Sequence, residues 1–312
     1  MLSKFLIALA LVATATNLYL NSSSEVSDVE ERFTQFITAE RRSYFSKDEY
    51  KFRLEVFSEN IRKINQMNSN PNDEAEYGVN LFSDRTQEEF EQLLGLKNMP
   101  IEENSNVEIF SEVNENRLRD KDHKNQCNKI KNQGSCGSCW AFAANAVQES
   151  TMNIRGQGLP NLSEQDLVDC SRGYGNQGCN GGWYYHAWDY VKAKGGLSSE
   201  SAYPYTGKDG TCRSVSRPHK ITGYSKVTAA DANIETAIND VPVAVAVDAS
   251  NWSSYKSGIF SNCYRSINHA VVAVGYVSGS HWIIRNSWGT RWGESGYMRL
   301  KMGANTCGVR DY

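Results

Sequence analysis

The sequence predicts an α+β protein: a helical half, then a sheet half, with an acidic helical segment in front of both. Three observations carry this. Apolar residues recur at helical spacing over residues 48–68 and again from Cys139. After about residue 220 the chain turns to β-branched and aromatic runs separated by Gly and Ser, as strands require. The composition is also split, because all eight cysteines lie at or after Cys127. Residues 1–114 carry 11 Lys+Arg against 20 Asp+Glu, and residues 115–312 carry 22 against 16. Two kinds of polypeptide are therefore joined, and 312 residues at 40% hydrophobic leave room for more than one core.

Taken in order, Lys4 precedes an apolar run from Phe5 to Ala13, and Ala13-Thr14-Ala15 offers small residues for cleavage. The run is too short to span a bilayer, so residues 1–15 are expected to be a secretory signal peptide. No other stretch approaches spanning length, and no membrane association is expected once the signal is removed. Phe52, Val56, Phe57, Ile61 and Ile64 mark the helix of residues 48–68. Glu49, Arg53, Phe57, Asn60, Ile64 and Asn68 line one stripe of it, where Glu49 and Arg53 are spaced to pair. Gly78, Asn80, Phe82 and Asp84 follow in a short alternating segment suited to a strand or a kink. Residues 98–117 are polar and acidic around Pro100, and read as a protease-accessible linker.

From Cys139 the run Trp140-Ala141-Phe142-Ala143-Ala144-Asn145-Ala146-Val147 is apolar on nearly all sides, which predicts a buried helix ended by Gly156 and Gly158. Ser163 with Asp166 opens another helical turn, and Trp183 to Lys194 is expected to be helical. Val243–Val247, Ala270–Val277, Trp282–Arg285 and Tyr297–Leu300 are the expected strands. A cleft between the helical part, about 124–220, and the sheet part, about 221–312, is the expected ligand site. The basic residues of the back half are scattered and no RNA-binding motif accompanies them, which argues against nucleic acid.

Cys139 sits in Gln133-Gly134-Ser135-Cys136-Gly137-Ser138-Cys139-Trp140, with His269 and Asn286 lying 130 and 147 residues downstream. A thiol attacks as its thiolate, and the N-terminus of the helix that Cys139 opens favours an anion. Of the five histidines, His269 is the one just before a long apolar strand, where a domain interface could hold it rigidly. Asn286, at the end of another apolar run, offers an amide oxygen to the second ring nitrogen without adding a charge. Trp288 is placed to shield the pair. The Cys139 backbone N–H and the Gln133 side-chain amide are candidate donors to an oxyanion. Cys136-Gly137-Ser138-Cys139 is also a CxxC at a helix start, as in thiol oxidoreductases, but no strand and Trp precede it. A metal site fits poorly, because no second CxxC or paired His follows, and no cofactor is called for.

At these residues the chain resembles the papain-like cysteine proteases of cathepsin L type. Glu49 to Asn68 match the ERFNIN prosegment motif at all six places and Gly78 to Asp84 match the GNFD motif at all four. Leu162-Ser163-Glu164-Gln165, Cys179-Asn180-Gly181-Gly182 and Asn286-Ser287-Trp288-Gly289 match the enzyme body. The resemblance implies a papain-like two-domain fold, one domain helical and one an antiparallel barrel-like sheet, behind an inhibitory propeptide at 16–114 and with the peptidase at 115–312. It implies that Cys139 is the nucleophile of an endopeptidase, His269 its acid–base partner, Asn286 the orienting residue and Gln133 the oxyanion donor. It implies disulfides Cys136 to Cys179, Cys170 to Cys212 and Cys263 to Cys307, leaving Cys127 over, expected to be a small buried hydrophobe, with a reactive thiol or an intermolecular bridge as the alternative.

By the same resemblance Trp183, Tyr184, Ala246, Ile267 and Ala270 line the pocket for the second substrate side chain before the cut, and Gly182 offers backbone hydrogen bonds to an extended substrate. No acid or base is among them, so an apolar or aromatic side chain is expected there. The expected partners are peptide and protein substrates and the chain's own propeptide, with a monomer in the secretory pathway, lysosome or vacuole, or outside the cell. If the acidic front covers the cleft, charge attraction would hold it at neutral pH and protonation would loosen it. Arg119-Asp120-Lys121-Asp122 departs from the family in lacking a Trp near the mature start.

Overall fold

The computed structural model describes residues 28–96, 108–110 and 119–311. The expected signal peptide and the expected boundary between residues 114 and 115 lie outside these residues. The front segment opens with α1 (residues 28–40) and α2 (Lys47–Asn68), whose Ser46 N-cap accepts the Glu49 N–H. Phe57, Ile61 and Ile64 are buried on one face of α2, and the Phe57 ring meets Phe33 and Phe36, both at 5.2 Å. Phe52, one of the residues that mark this helix, is 45% exposed beneath the Arg53 guanidinium.

The polar members of the α2 stripe fold the front segment back on itself. Arg53 does not turn to Glu49; it makes a two-pronged pair with Glu89 at 2.6 and 2.8 Å and donates to the Asp84 carbonyl. Asn60 donates to the Ser83 and Arg85 carbonyls, and Asn68 pairs with both backbone groups of Tyr77. The chain between them runs through β1 (Ala75–Tyr77), turns over residues 78–85, and α3 (Gln87–Glu91), which Thr86 and Glu89 start as a reciprocal capping box.

Residues 98–117 are not uniformly a linker, since Glu108–Phe110 form a strand, β2, parallel to β4 (Ser225–Val227). The helical half follows. It contains α4 (Cys139–Ile154), α5 (Glu164–Cys170) and α6 (Tyr184–Lys194). Its bridges are Cys136–Cys179 and Cys170–Cys212, with Cys263–Cys307 in the sheet half, the same pairing that the resemblance implies. Cys127 is free and half-buried.

The sheet runs β1-β6-β9-β8-β7-β3, with β5 also on β7. Its strands are β3 (Lys121–Asp122), β5 (Val243–Val247), β6 (Tyr255–Phe260), β7 (His269–Val277), β8 (His281–Arg285) and β9 (Tyr297–Lys301). All its pairs are antiparallel except β6 with β9. Front-segment strand β1 thus adds itself to the edge of the sheet built by the back half. Residues 231–240, in the stretch expected to hold strands alone, form α7 (Asp231–Asp240), which buries Ile234 and Ile238 against the sheet. No helix among the described residues is long and apolar enough to cross a membrane.

Candidate active site

The buried helix α4 carries Cys139 at its first position, and β7 starts with His269 across the interface. The Cys139 Sγ accepts the N–H of Ala270, the residue after His269, at 3.5 Å. On the other side of the ring, His269 Nε2 lies 2.9 Å from Asn286 Oδ1. Because that oxygen can only accept, the proton belongs on Nε2 and Nδ1 carries the lone pair. Nδ1 is buried with no hydrogen-bond partner. Trp288 stacks on the imidazole at 4.7 Å, and Phe82 and Phe90 of the front segment pack edge-on against the same indole, each at 5.3 Å.

Gln133 is fully buried and its amide orientation is set by hydrogen bonds. Ser287 Oγ donates to its Oε1 at 2.7 Å, leaving Nε2 to donate to the Cys136 carbonyl and, at 2.9 Å, to the carbonyl of Leu93. That last acceptor belongs to the front segment. Residues 92–96 run through the cleft: the Gly95 carbonyl accepts the Gly182 N–H at 3.1 Å, and the Leu96 N–H donates to the Asn268 carbonyl at 2.9 Å. At Gly95 the two backbones touch, and a Cβ there would sit 2.1 Å from the Gly137 oxygen. Leu96 is buried in one apolar cluster with Cys139, Trp183, Tyr184, Ala246 and Ala270, against which Ile267 packs. Five of the residues expected to bind substrate thus share one apolar cluster with Leu96, and the sixth, Gly182, is bound to the Gly95 carbonyl.

Covered in this way, Cys139 and His269 are both fully buried. Burial pushes the Cys139 thiol up to about 11, against the pull of backbone N–H groups from Ala270, Gly95 and Trp140. Burial likewise pushes His269 down to about 4, opposed by its hydrogen bond to Asn286. Both directions oppose the thiolate that the helix N-terminus favours. With the cleft closed, loss of water outweighs the helix and its N–H donors, and both groups rest neutral at neutral pH.

Sequence reasoning missed the covering strip. Its signal was the run Leu93-Leu94-Gly95-Leu96, apolar around a single glycine, just before the polar stretch. It also missed Ser287 and Tyr205, whose hydroxyl groups contact Gln133. Among the described residues no group of acidic, His and Cys side chains could hold a metal ion.

A buried thiol, a tautomer-fixed imidazole and a side-chain amide facing a covered cleft define a thiol hydrolase in its closed form. Comparison with known proteins gives the family. Residues 115–312 match the papain family cysteine protease and residues 33–90 the cathepsin propeptide inhibitor domain. The chain is 41% identical over 306 residues to cathepsin L 1 of Paramecium tetraurelia, covering 94% of this chain and 95% of that protein. Its fold is similar to digestive procathepsin L 3 of Tenebrio molitor larval midgut, with TM-score 0.82 at 32% identity over 90% of this chain and 96% of that one. A recombinant stem bromelain precursor gives TM-score 0.81 at 33% identity over 91% and 96%. The chain belongs to the papain family of cysteine proteases and is a cathepsin L-type precursor with an inhibitory propeptide domain.

Proposed function

We propose that this precursor enters the secretory pathway, loses its propeptide, and acts in a lysosome, vacuole or the exterior as an endopeptidase that prefers an apolar or aromatic residue second before the cut. Opening the cleft readmits water, which lets the Cys139 proton pass to His269 and form the thiolate–imidazolium pair. The thiolate attacks the peptide carbonyl carbon, and the oxyanion is held by the Gln133 amide and the Cys139 N–H. The imidazolium gives its proton to the leaving amine as the C–N bond breaks. Water then adds to the thioester, passing a proton to His269, and the returning thiol takes that proton as the acid departs. Asn286 keeps the His269 ring turned throughout.

The observation that supports this reading best is the covering strip, whose Leu93 carbonyl accepts from the Gln133 amide and whose Leu96 shares an apolar cluster with the expected pocket residues. After propeptide removal, an epoxide or vinyl-sulfone probe should label Cys139, and Cys139→Ala should abolish labelling. In a peptide library, Leu or Phe at the second position should be cut at least tenfold faster than Arg. Labelling at another residue would refute the mechanism; a preference for Arg would refute the pocket assignment.

A further inference from the structure

Gln133 is hydrogen-bonded at every polar atom. Its N–H donates to the Ser287 carbonyl at 2.9 Å, Oε1 accepts from Ser287, and Nε2 serves Cys136 and the cleft. The remaining atom, its carbonyl oxygen, accepts the Tyr205 hydroxyl at 2.8 Å. That hydroxyl also lies 2.7 Å from Ser138 Oγ. Since the single phenolic proton goes to Gln133, Ser138 is the donor in the second bond.

Ser138 is fully buried and directly precedes the nucleophile. Tyr205 therefore bridges the two segments that carry the oxyanion donors, Gln133 on one side and the start of α4 on the other. The tyrosine is itself held. Its backbone N–H donates to Glu200 at 2.8 Å, and its ring stands edge-on to Phe142 of α4 at 4.9 Å.

We propose that Tyr205 is a positioning residue for the oxyanion site, its hydroxyl fixing the separation between the Gln133 amide and the Cys139 N–H. This rests on the reading that those two groups hold the oxyanion. A donor pair of this kind stabilises charge only when both members already face the point where the charge develops. The Cys136–Cys179 bridge and the bond from Gln133 Nε2 to Cys136 keep the intervening loop folded without Tyr205. Loss of the hydroxyl should therefore loosen the donors without dismantling the fold.

The test uses mature enzyme prepared from the full chain, with Tyr205→Phe retaining the ring on Phe142. Expected is a fall in kcat of roughly tenfold with KM little changed, since misplacement by a fraction of an ångström acts on the reacting geometry. Alkylation of Cys139 by iodoacetamide builds no oxyanion, so its rate and pH profile should stay as in the parent. Gln133→Ala should cost several-fold less in the Tyr205→Phe background than alone. Ser138→Ala, which removes the other end of the bridge, should shift kcat the same way and also spare alkylation. An unchanged kcat, an equal loss in hydrolysis and alkylation, or strict additivity with a harmful Gln133→Ala would overturn the role of Tyr205. A harmless Gln133→Ala would instead overturn the oxyanion reading beneath it.

Discussion

Replacing Gly95 with Ala should make the precursor leaky. A Cβ at this position would lie 2.1 Å from the Gly137 oxygen, 2.7 Å from the Gly137 carbonyl carbon and 3.1 Å from Cys139 Sγ. The enzyme wall cannot yield. Gly137 donates to the Cys179 carbonyl at 3.0 Å, its neighbour Cys136 is disulfide-bonded to Cys179, and α4 begins two residues on. The propeptide must move outward, straining the bonds from Gly182 to Gly95 and from Leu96 to Asn268. Overpacking costs about 1–3 kcal/mol, and each weakened hydrogen bond adds roughly 0.5–1 kcal/mol. Together these raise the open population roughly 30-fold to several thousand-fold. The assay is the rate at which an epoxide probe labels Cys139 in the uncut precursor at fixed pH, because only open molecules react. Lys51→Ala, on the exposed side of α2, should leave that rate alone. A Gly95→Ala precursor that folds and labels within twofold of the parent would refute the claim that backbone contact seals the cleft.

Other outcomes follow from the same geometry. Leu96→Ala should also speed precursor labelling, since emptying a buried leucine site costs about 2–5 kcal/mol; an unchanged rate would mean that Leu96 does not anchor the propeptide. Gln133→Ala in the mature enzyme should lower kcat by roughly 10²-fold, and a normal rate would remove it from the oxyanion site. Acid should loosen the propeptide in a window set by its carboxylates. Arg53 holds Glu89, and Lys256 across the interface holds Glu76, below the usual value of 4.5. Their contribution is present above 4.5 and is lost as pH falls through the lowered values. Glu76→Gln should blunt that acid response, by less than Gly95→Ala opens the cleft, because both members of the pair are exposed. A precursor labelling rate that ignores pH below 4.5 would count against this. Glu164 has the opposite sign: burial raises it above the usual 4.5 even beside Lys131, which Glu149 shares. Stability should fall as pH rises above 4.5, and Glu164→Gln should flatten that slope in thermal melts. Parallel slopes for parent and variant would refute it.

The residues proposed to react stand out in the sequence because each proposed role needs a particular side chain at a particular structural break. Cys139 opens a helix, His269 starts a strand, and Asn286 directly follows one. The ionisation state was not legible. Sequence displays the helix and the donors that favour a thiolate, but desolvation depends on what lies over the cleft, and here it reverses the expected shift. Helix α7 was hidden for a simpler reason. Its ten residues carry only a short amphipathic pattern within a region of strand-forming runs, and packing of Ile234 and Ile238 decides the outcome.

The covering strip is the most instructive omission. It engages the enzyme with the carbonyls of Leu93 and Gly95 and the N–H of Leu96, groups that nearly every residue possesses. Main-chain recognition of this kind holds the propeptide in the cleft through groups that leave no mark in the sequence. Side chains constrain it as well: Leu93 and Leu94 are buried in the main apolar core, and two further positions meet the cleft directly. Residue 95 has no room for a Cβ, and residue 96 must be apolar to fill its buried place. A glycine followed by a leucine is a faint mark in 312 residues. It is nonetheless at these two residues that the precursor should be easiest to open without touching the reacting groups.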